Sequence, residues 1–195
     1  MKYLENDRLE SLTAFLSNRE MGGRMINGRV EAYSCKRAGE DKKLSKVLEA
    51  RMIEDCAKSE VVPVPQRSRA SSLGDLGTTS TRRLLIDLIS TLNASFPDYD
   101  FSTATPDSFV AQDPDVVLKR VNSHLAEMST VNPTFLQEMW QEINAVVELK
   151  HCEVFSYVPD MEEDPFSDGV LWSFNFFFFN KDLKRILYFT CVATR

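Results

Sequence analysis

The sequence predicts an α+β fold, a central antiparallel β-sheet of about four strands with helices packed on both faces, from three observations. Two runs of aromatic and β-branched residues, Trp172 to Asn180 and Arg185 to Val192, are separated by the polar stretch Lys181-Asp182-Leu183-Lys184. That is the pattern of two antiparallel strands and a short turn. Alternation along the first run sends Trp172, Phe174, Phe176 and Phe178 to one face and Leu171, Phe177 and Phe179, with Ser173 and Asn175, to the other. Both faces are largely apolar and need cover. Amphipathic helical stripes elsewhere in the chain can supply it.

The other elements follow in chain order. Asp7 can cap a first helix carrying Leu9, Leu12, Phe15 and Leu16 on one face, with Met21-Gly22-Gly23 ending it. From Ile26 to Lys36, apolar and small residues alternate with Arg29, Glu31, Tyr33 and Cys35, which suits a strand at or near a sheet edge. Asp41 to Ala57 places Leu44, Val47, Leu48 and Met52 at helical spacing. Between about residues 59 and 81, Pro63, Pro65, Gly74, Gly77 and many serines and threonines read as a mobile connector within a single globular domain spanning 1–195.

Order resumes with Arg82 to Phe96, a nearly all-apolar helix stopped by Pro97, and the aspartates of Asp98-Tyr-Asp-Phe-Ser102 can hold a tight connection. Asp113-Pro114 and Asn132-Pro133 each read as an N-cap followed by proline at the first helical position. The helices so started carry Val117, Val121, His124 or Leu125, and Met128 on one stripe, and Phe135, Met139, Ile143 and Val146 or Val147 on the other. Cys152 to Val158 is the remaining strand. It runs into Pro159 to Gly169, which holds five carboxylates in eleven residues.

Composition limits the function. The chain has 195 residues, 43% of them hydrophobic, enough for one domain with a substantial core. With 29 acidic and 23 basic residues the net charge is −6, which opposes sequence-independent binding to nucleic acid, and no direct sequence-specific binding is expected. A protein partner fits better. The N-terminus lacks an apolar signal core, and no apolar run reaches the roughly 18 residues of a membrane helix. A soluble intracellular protein without a membrane partner is therefore expected. Cys35, Cys56, Cys152 and Cys191 match neither a Cys-x-x-Cys pair nor a zinc spacing with His124 and His151, so free thiols and no cofactor are expected.

Two segments invite a functional reading. Arg67-Ser-Arg69-Ala-Ser71-Ser72 sets two arginines ahead of a serine pair, a pattern read by basophilic kinases, so Ser71 and Ser72 are candidate phosphosites. The carboxylates Asp160, Glu162, Glu163 and Asp164 lack the alternation of a calcium loop and fit a solvated loop that meets a basic partner surface. No nucleophile elbow, phosphate loop or metalloprotease helix appears, so no enzymatic activity is expected.

Five blocks resemble the Maf family of eukaryotic RNA polymerase III repressors. They are Lys2-x-Leu4-Glu5, Glu31-Ala-Tyr-Ser-Cys-Lys36, Thr91-Leu-Asn-x-Ser-Phe-Pro-Asp-Tyr-Asp-Phe-Ser102, Tyr157-x-Pro-Asp-x-x-x-Asp-Pro-Phe166 and Leu171-Trp-Ser-Phe-Asn-Phe-Phe-Phe-Phe-Asn-Lys-x-Leu-Lys-Arg-Ile186. They span almost the whole chain in the family's order. The resemblance implies an antiparallel sheet flanked by helices and a non-enzymatic repressor that binds RNA polymerase III near its clamp and initiation-specific subunits. Such a repressor blocks recruitment of the polymerase to the promoter-bound initiation factor containing the TATA-binding protein. It also implies nutrient and stress control by growth-signalling kinases and a phosphatase acting on the connector, and shuttling between cytoplasm and nucleus. Many members continue past the last strand into an acidic tail, whereas this sequence ends at Arg195.

Expected contact residues are Glu31, Lys36, Asp160, Glu162, Glu163 and Asp164. The alternative is a small-molecule-binding sensor domain, which requires a pocket between layers. An enzyme would need Asp98 or Asp100 in a cleft beside His124 or His151.

Overall fold

The computed structural model describes residues 1–36, 39–61, 72–158, 165–166 and 169–195; the side chains of residues 40, 41, 55, 56 and 59–61 also lie outside the description. Its strands are β1 (Lys2–Tyr3), β2 (Arg19–Met21), β3 (Arg24–Ser34), β4 (Phe109–Gln112), β5 (Glu153–Tyr157), β6 (Val170–Asn180) and β7 (Arg185–Thr194). The helices are α1 (Asp7–Leu16), α2 (Glu40–Val61), α3 (Thr79–Ser95), α4 (Pro114–His124), α5 (Met128–Val131) and α6 (Phe135–Val147). The strands form one sheet in the order β1-β3-β7-β6-β5-β4, with β2 also on β3, and every pairing is antiparallel. No helix among the described residues is long and apolar enough to cross a membrane.

The predicted hairpin is the centre of the sheet. Phe177 lies opposite Tyr188, with ring centroids 4.7 Å apart, and Asn175 lies opposite Thr190. One sheet face packs Phe174, Phe176, Phe178, Leu187 and Phe189 under α1, α4, α5 and α6. The other packs Phe177, Ile186, Tyr188, Phe155 and Tyr157 under α2 and α3. Helices therefore cover both faces, as the two apolar faces of β6 require. The side-chain amide oxygen of buried Asn175 accepts from Tyr188 Oη at 2.8 Å and Thr190 Oγ1 at 2.7 Å. Asn180 donates to the Val147 carbonyl and accepts from the Asp182 and Leu183 amides, tying the hairpin turn to α6.

The sheet has seven strands where about four were expected. The additional ones, β1, β2 and β4, are two to four residues long, too short for an alternation to declare itself. Strands β1 and β2 cover opposite ends of the outer edge of β3. Between them Thr13 of α1 takes the place of a strand: its hydroxyl accepts from the Val30 amide at 2.9 Å and donates to the Val30 carbonyl at 3.2 Å. The edge is thereby closed to pairing with another chain.

Several boundaries differ from expectation for identifiable reasons. Asn6, not Asp7, caps α1, its side chain accepting from the Arg8 and Leu9 amides. That helix ends at Leu16, and Gly22 and Gly23, both at positive φ, turn β2 into β3. Asp113 caps α4 with Pro114 at the first helical position, as expected. Asn132 instead ends α5, and its side chain holds the Thr134 amide, so α6 begins two residues beyond Pro133. Val47 is 66% exposed rather than on the packed stripe of α2, where Leu48 is buried. Of the expected connector, residues 62–71 lie outside the described residues. Leu73 is buried, and Asp75 accepts from the Gly77 and Thr78 amides just before α3.

Gly28 sets how closely α1 lies on the sheet. A Cβ there would come 2.9 Å from Leu16 Cβ and 3.3 Å from Cys191 Sγ, and its φ is outside the left-handed region, so the constraint is purely steric. Gly28→Ala is expected to lower stability by about 1–3 kcal/mol through overpacking, measured by urea unfolding. An unchanged midpoint would show that α1 lifts from β3 without cost.

Candidate interaction surfaces

Glu31 faces the end of α3 and its side chain is only 15% exposed. Its Oε2 accepts from Tyr33 Oη at 2.8 Å and from Ser95 Oγ, and its Oε1 lies 3.6 Å from Arg29 Nη1. Arg29 in turn donates to the Ser95 carbonyl at 2.8 Å and stacks its guanidinium 4.2 Å from the Phe96 ring centroid. Burial and the Glu31 charge raise the Tyr33 phenol well above its ordinary pKa, so it remains a hydrogen-bond donor. Glu31 is thus a strut between β3 and α3, and its carboxylate holds three neighbours in place.

Phe96 also receives the base of the acidic loop. Buried Phe166 meets it edge-on at 5.2 Å, and Tyr188 packs on it at 6.3 Å. The loop departs after Val158, whose amide donates to the Ser108 carbonyl at 2.8 Å. Asp160, Glu162, Glu163 and Asp164 themselves lie outside the described residues, as does Ser71. Two of the expected contact regions therefore converge on Phe96. Ser95 and Phe96 stand within one of the motif blocks, but nothing in their spacing, or in that of Arg29, shows that they meet Glu31.

Lys36 has a different setting. It is exposed just beyond β3 and lines a cleft of ≈ 680 Å³ with Lys42 and Lys46 of α2, Arg83 of α3, and Lys181 and Lys184 of the β6–β7 turn. Asp87 and Glu153 are the acidic residues of its lining among the described residues. Ser72, exposed, directly precedes Leu73 in the cleft wall. Nothing in the linear pattern assembled this group.

The histidines are apart from these surfaces. His124 stacks on Trp172 at 4.4 Å, and burial followed by the charge of Arg120 lowers its pKa. His151 pairs with Glu148 at 3.1 Å on the surface. Asp100 accepts from the Ser102 amide, so it organises its own turn. Cys152 and Cys191 are free thiols, and burial pushes both up to about 12, keeping them protonated at neutral pH.

Comparison with known proteins places this arrangement in a family. A family model described as Maf1 regulator matches residues 26–190. The Dictyostelium discoideum protein named repressor of RNA polymerase III transcription is 30% identical, over 98% of this chain and 84% of its own length. The Schizosaccharomyces pombe repressor of RNA polymerase III transcription maf1 is 36% identical, over 96% and 81%. A crystal structure of citrus MAF1 superposes with a TM-score of 0.73 at 32% identity, covering 95% of this chain and 97% of the other. Fold, motif blocks and relatives agree: the chain belongs to the Maf1 regulator family.

Proposed function

We propose that this chain is a non-enzymatic repressor of RNA polymerase III transcription that works by occupancy. It binds the polymerase near the clamp and initiation-specific subunits and prevents its recruitment to the promoter-bound initiation factor containing the TATA-binding protein. The observation that carries this reading is the Maf1 regulator match over residues 26–190, with Dictyostelium and fission yeast relatives that are named for this repression. Because helices cover both sheet faces, the contact surface must come from loops, strand ends and outer helix faces. The acidic loop and the β3 end at Lys36 are the contact regions we assign, since complementary charge sets orientation and speeds encounter.

Phosphorylation at Ser71 or Ser72 by growth-signalling kinases relieves repression, and a phosphatase restores it. The dephosphorylated protein accumulates in the nucleus. The test is retention of purified RNA polymerase III by the unphosphorylated chain, repeated with excess initiation factor. Competitive loss of retention is expected, and charge reversal at Asp160, Glu162, Glu163 and Asp164 should weaken it without lowering the melting temperature. Absence of retention would overturn the occupancy mechanism. A second reading, a small-molecule sensor, has the cleft at Lys36 in its favour.

A further inference from the structure

We propose that the cleft bounded by α2, the beginning of α3 and the β6–β7 turn is a binding site for phosphate groups, suited to a small ligand that carries two or more of them. The site goes beyond polymerase binding and does not depend on it. Separate stretches of the chain are fixed around it by the fold. Lys42 and Lys46, four residues apart, share a face of α2. The Cys35 amide donates to the Lys184 carbonyl at 2.9 Å, which holds the segment of Lys36 against the turn that carries Lys181 and Lys184. Arg83 and Ser80 come from the first turns of α3, whose N-terminus favours an anion.

Charge is the decisive feature. In a chain of net charge −6, the charged groups among the described residues of the lining are six cations and two carboxylates. Asp87 is buried, and both it and Arg83 are already engaged within the protein, so the five lysines carry the excess charge. Among the described residues, Lys36, Lys42, Lys46, Lys181 and Lys184 make no ion pair, whereas Arg82, beside Arg83, lies 3.9 Å from Glu49. Like charges that outnumber their counter-charges repel, and a cleft concentrates their field on whatever anion enters.

Shape and stoichiometry narrow the ligand. The ≈ 680 Å³ volume is that of a small-molecule pocket rather than of an extended nucleic acid track, and Leu73, Leu84 and Phe179 give it apolar walls. One phosphate monoester brings about −1.5 to −2 charges, which leaves the lining positive; two or more bring it near neutrality. Phosphate has two possible sources, a soluble polyphosphorylated molecule or a phosphoserine at Ser72. The charge count favours the soluble one.

The experiment titrates myo-inositol hexakisphosphate into the full unphosphorylated chain by calorimetry at about 0.15 M salt. Saturable one-to-one binding is expected. A Lys42→Gln, Lys46→Gln, Lys181→Gln variant should weaken it by about tenfold or more, and the matching arginine variant should retain it. Lys119→Gln with Lys150→Gln, outside the cleft, should leave it unchanged. In a second arm, the chain is phosphorylated at Ser72 and its phosphorus resonance is followed with and without the three cleft lysines. A lysine-dependent resonance without binding of the soluble probe would assign the site to phosphoserine. The proposal is overturned if neither arm depends on the cleft lysines, if the control variant weakens binding equally, or if a single-stranded DNA oligonucleotide competes more strongly than the probe.

Discussion

Replacing Phe177 with alanine is expected to remove about 3–5 kcal/mol of folding stability. The ring is fully buried, stacked on Tyr188 at 4.7 Å and edge-on to Phe109 at 5.8 Å. It occupies the centre of the face under α2 and α3, where the ring's removal leaves a cavity that paired strands on either side cannot collapse to fill. For a domain of this length such a loss corresponds to a fall in melting temperature of roughly 6–20 °C. Leu171 provides the control. It lies in the same strand but is 43% exposed, so Leu171→Ala should stay within about 0.5 kcal/mol. Chemical denaturation of both variants decides the matter. Similar small losses would mean that the helices do not close over this face, and the assignment of β6 as a strand buried on both sides would fail.

That assignment was legible in the sequence because a long strand repeats its signal. Eleven residues of β6 state the alternation several times over, and the stripes of α3, α4 and α6 do the same at helical period. Strands β1, β2 and β4 were not legible because two to four residues cannot establish a period; partners decide them. The misplaced cap at Asn132-Pro133 shows a related limit: an Asx side chain that holds the amide two residues on can serve a turn between helices as well as a helix start. Contact positions fared differently. Glu31 and Lys36 fall in one predicted strand, yet Glu31 points into a network with Ser95 while Lys36 joins a cluster drawn from α2, α3 and the hairpin turn. The dipeptides Lys42-Lys43, Arg82-Arg83 and Lys184-Arg185 are too short to read alone as basic motifs. Only tertiary structure makes one site of Lys42, Arg83 and Lys184.

Glu31→Ala is expected to destabilise the domain by about 2–4 kcal/mol, through the groups it strands rather than through the contacts it loses. Tyr33 is 3% exposed and would lose the acceptor of its hydroxyl, and Arg29, held over Phe96 and by the Ser95 carbonyl, would remain without its counter-charge. Glu31→Gln keeps an acceptor of similar shape and should recover roughly half of the loss. This pair of variants separates a strut from a partner contact. If Glu31 acts by positioning β3 against α3, retention of RNA polymerase III by Glu31→Gln, measured well below its melting temperature, should match that of the parent chain, while Glu31→Ala melts early. If Glu31 touches the polymerase, Glu31→Gln will bind more weakly despite an intact fold. The first result is expected because both carboxylate oxygens already face groups of this domain, leaving a partner little charge to engage.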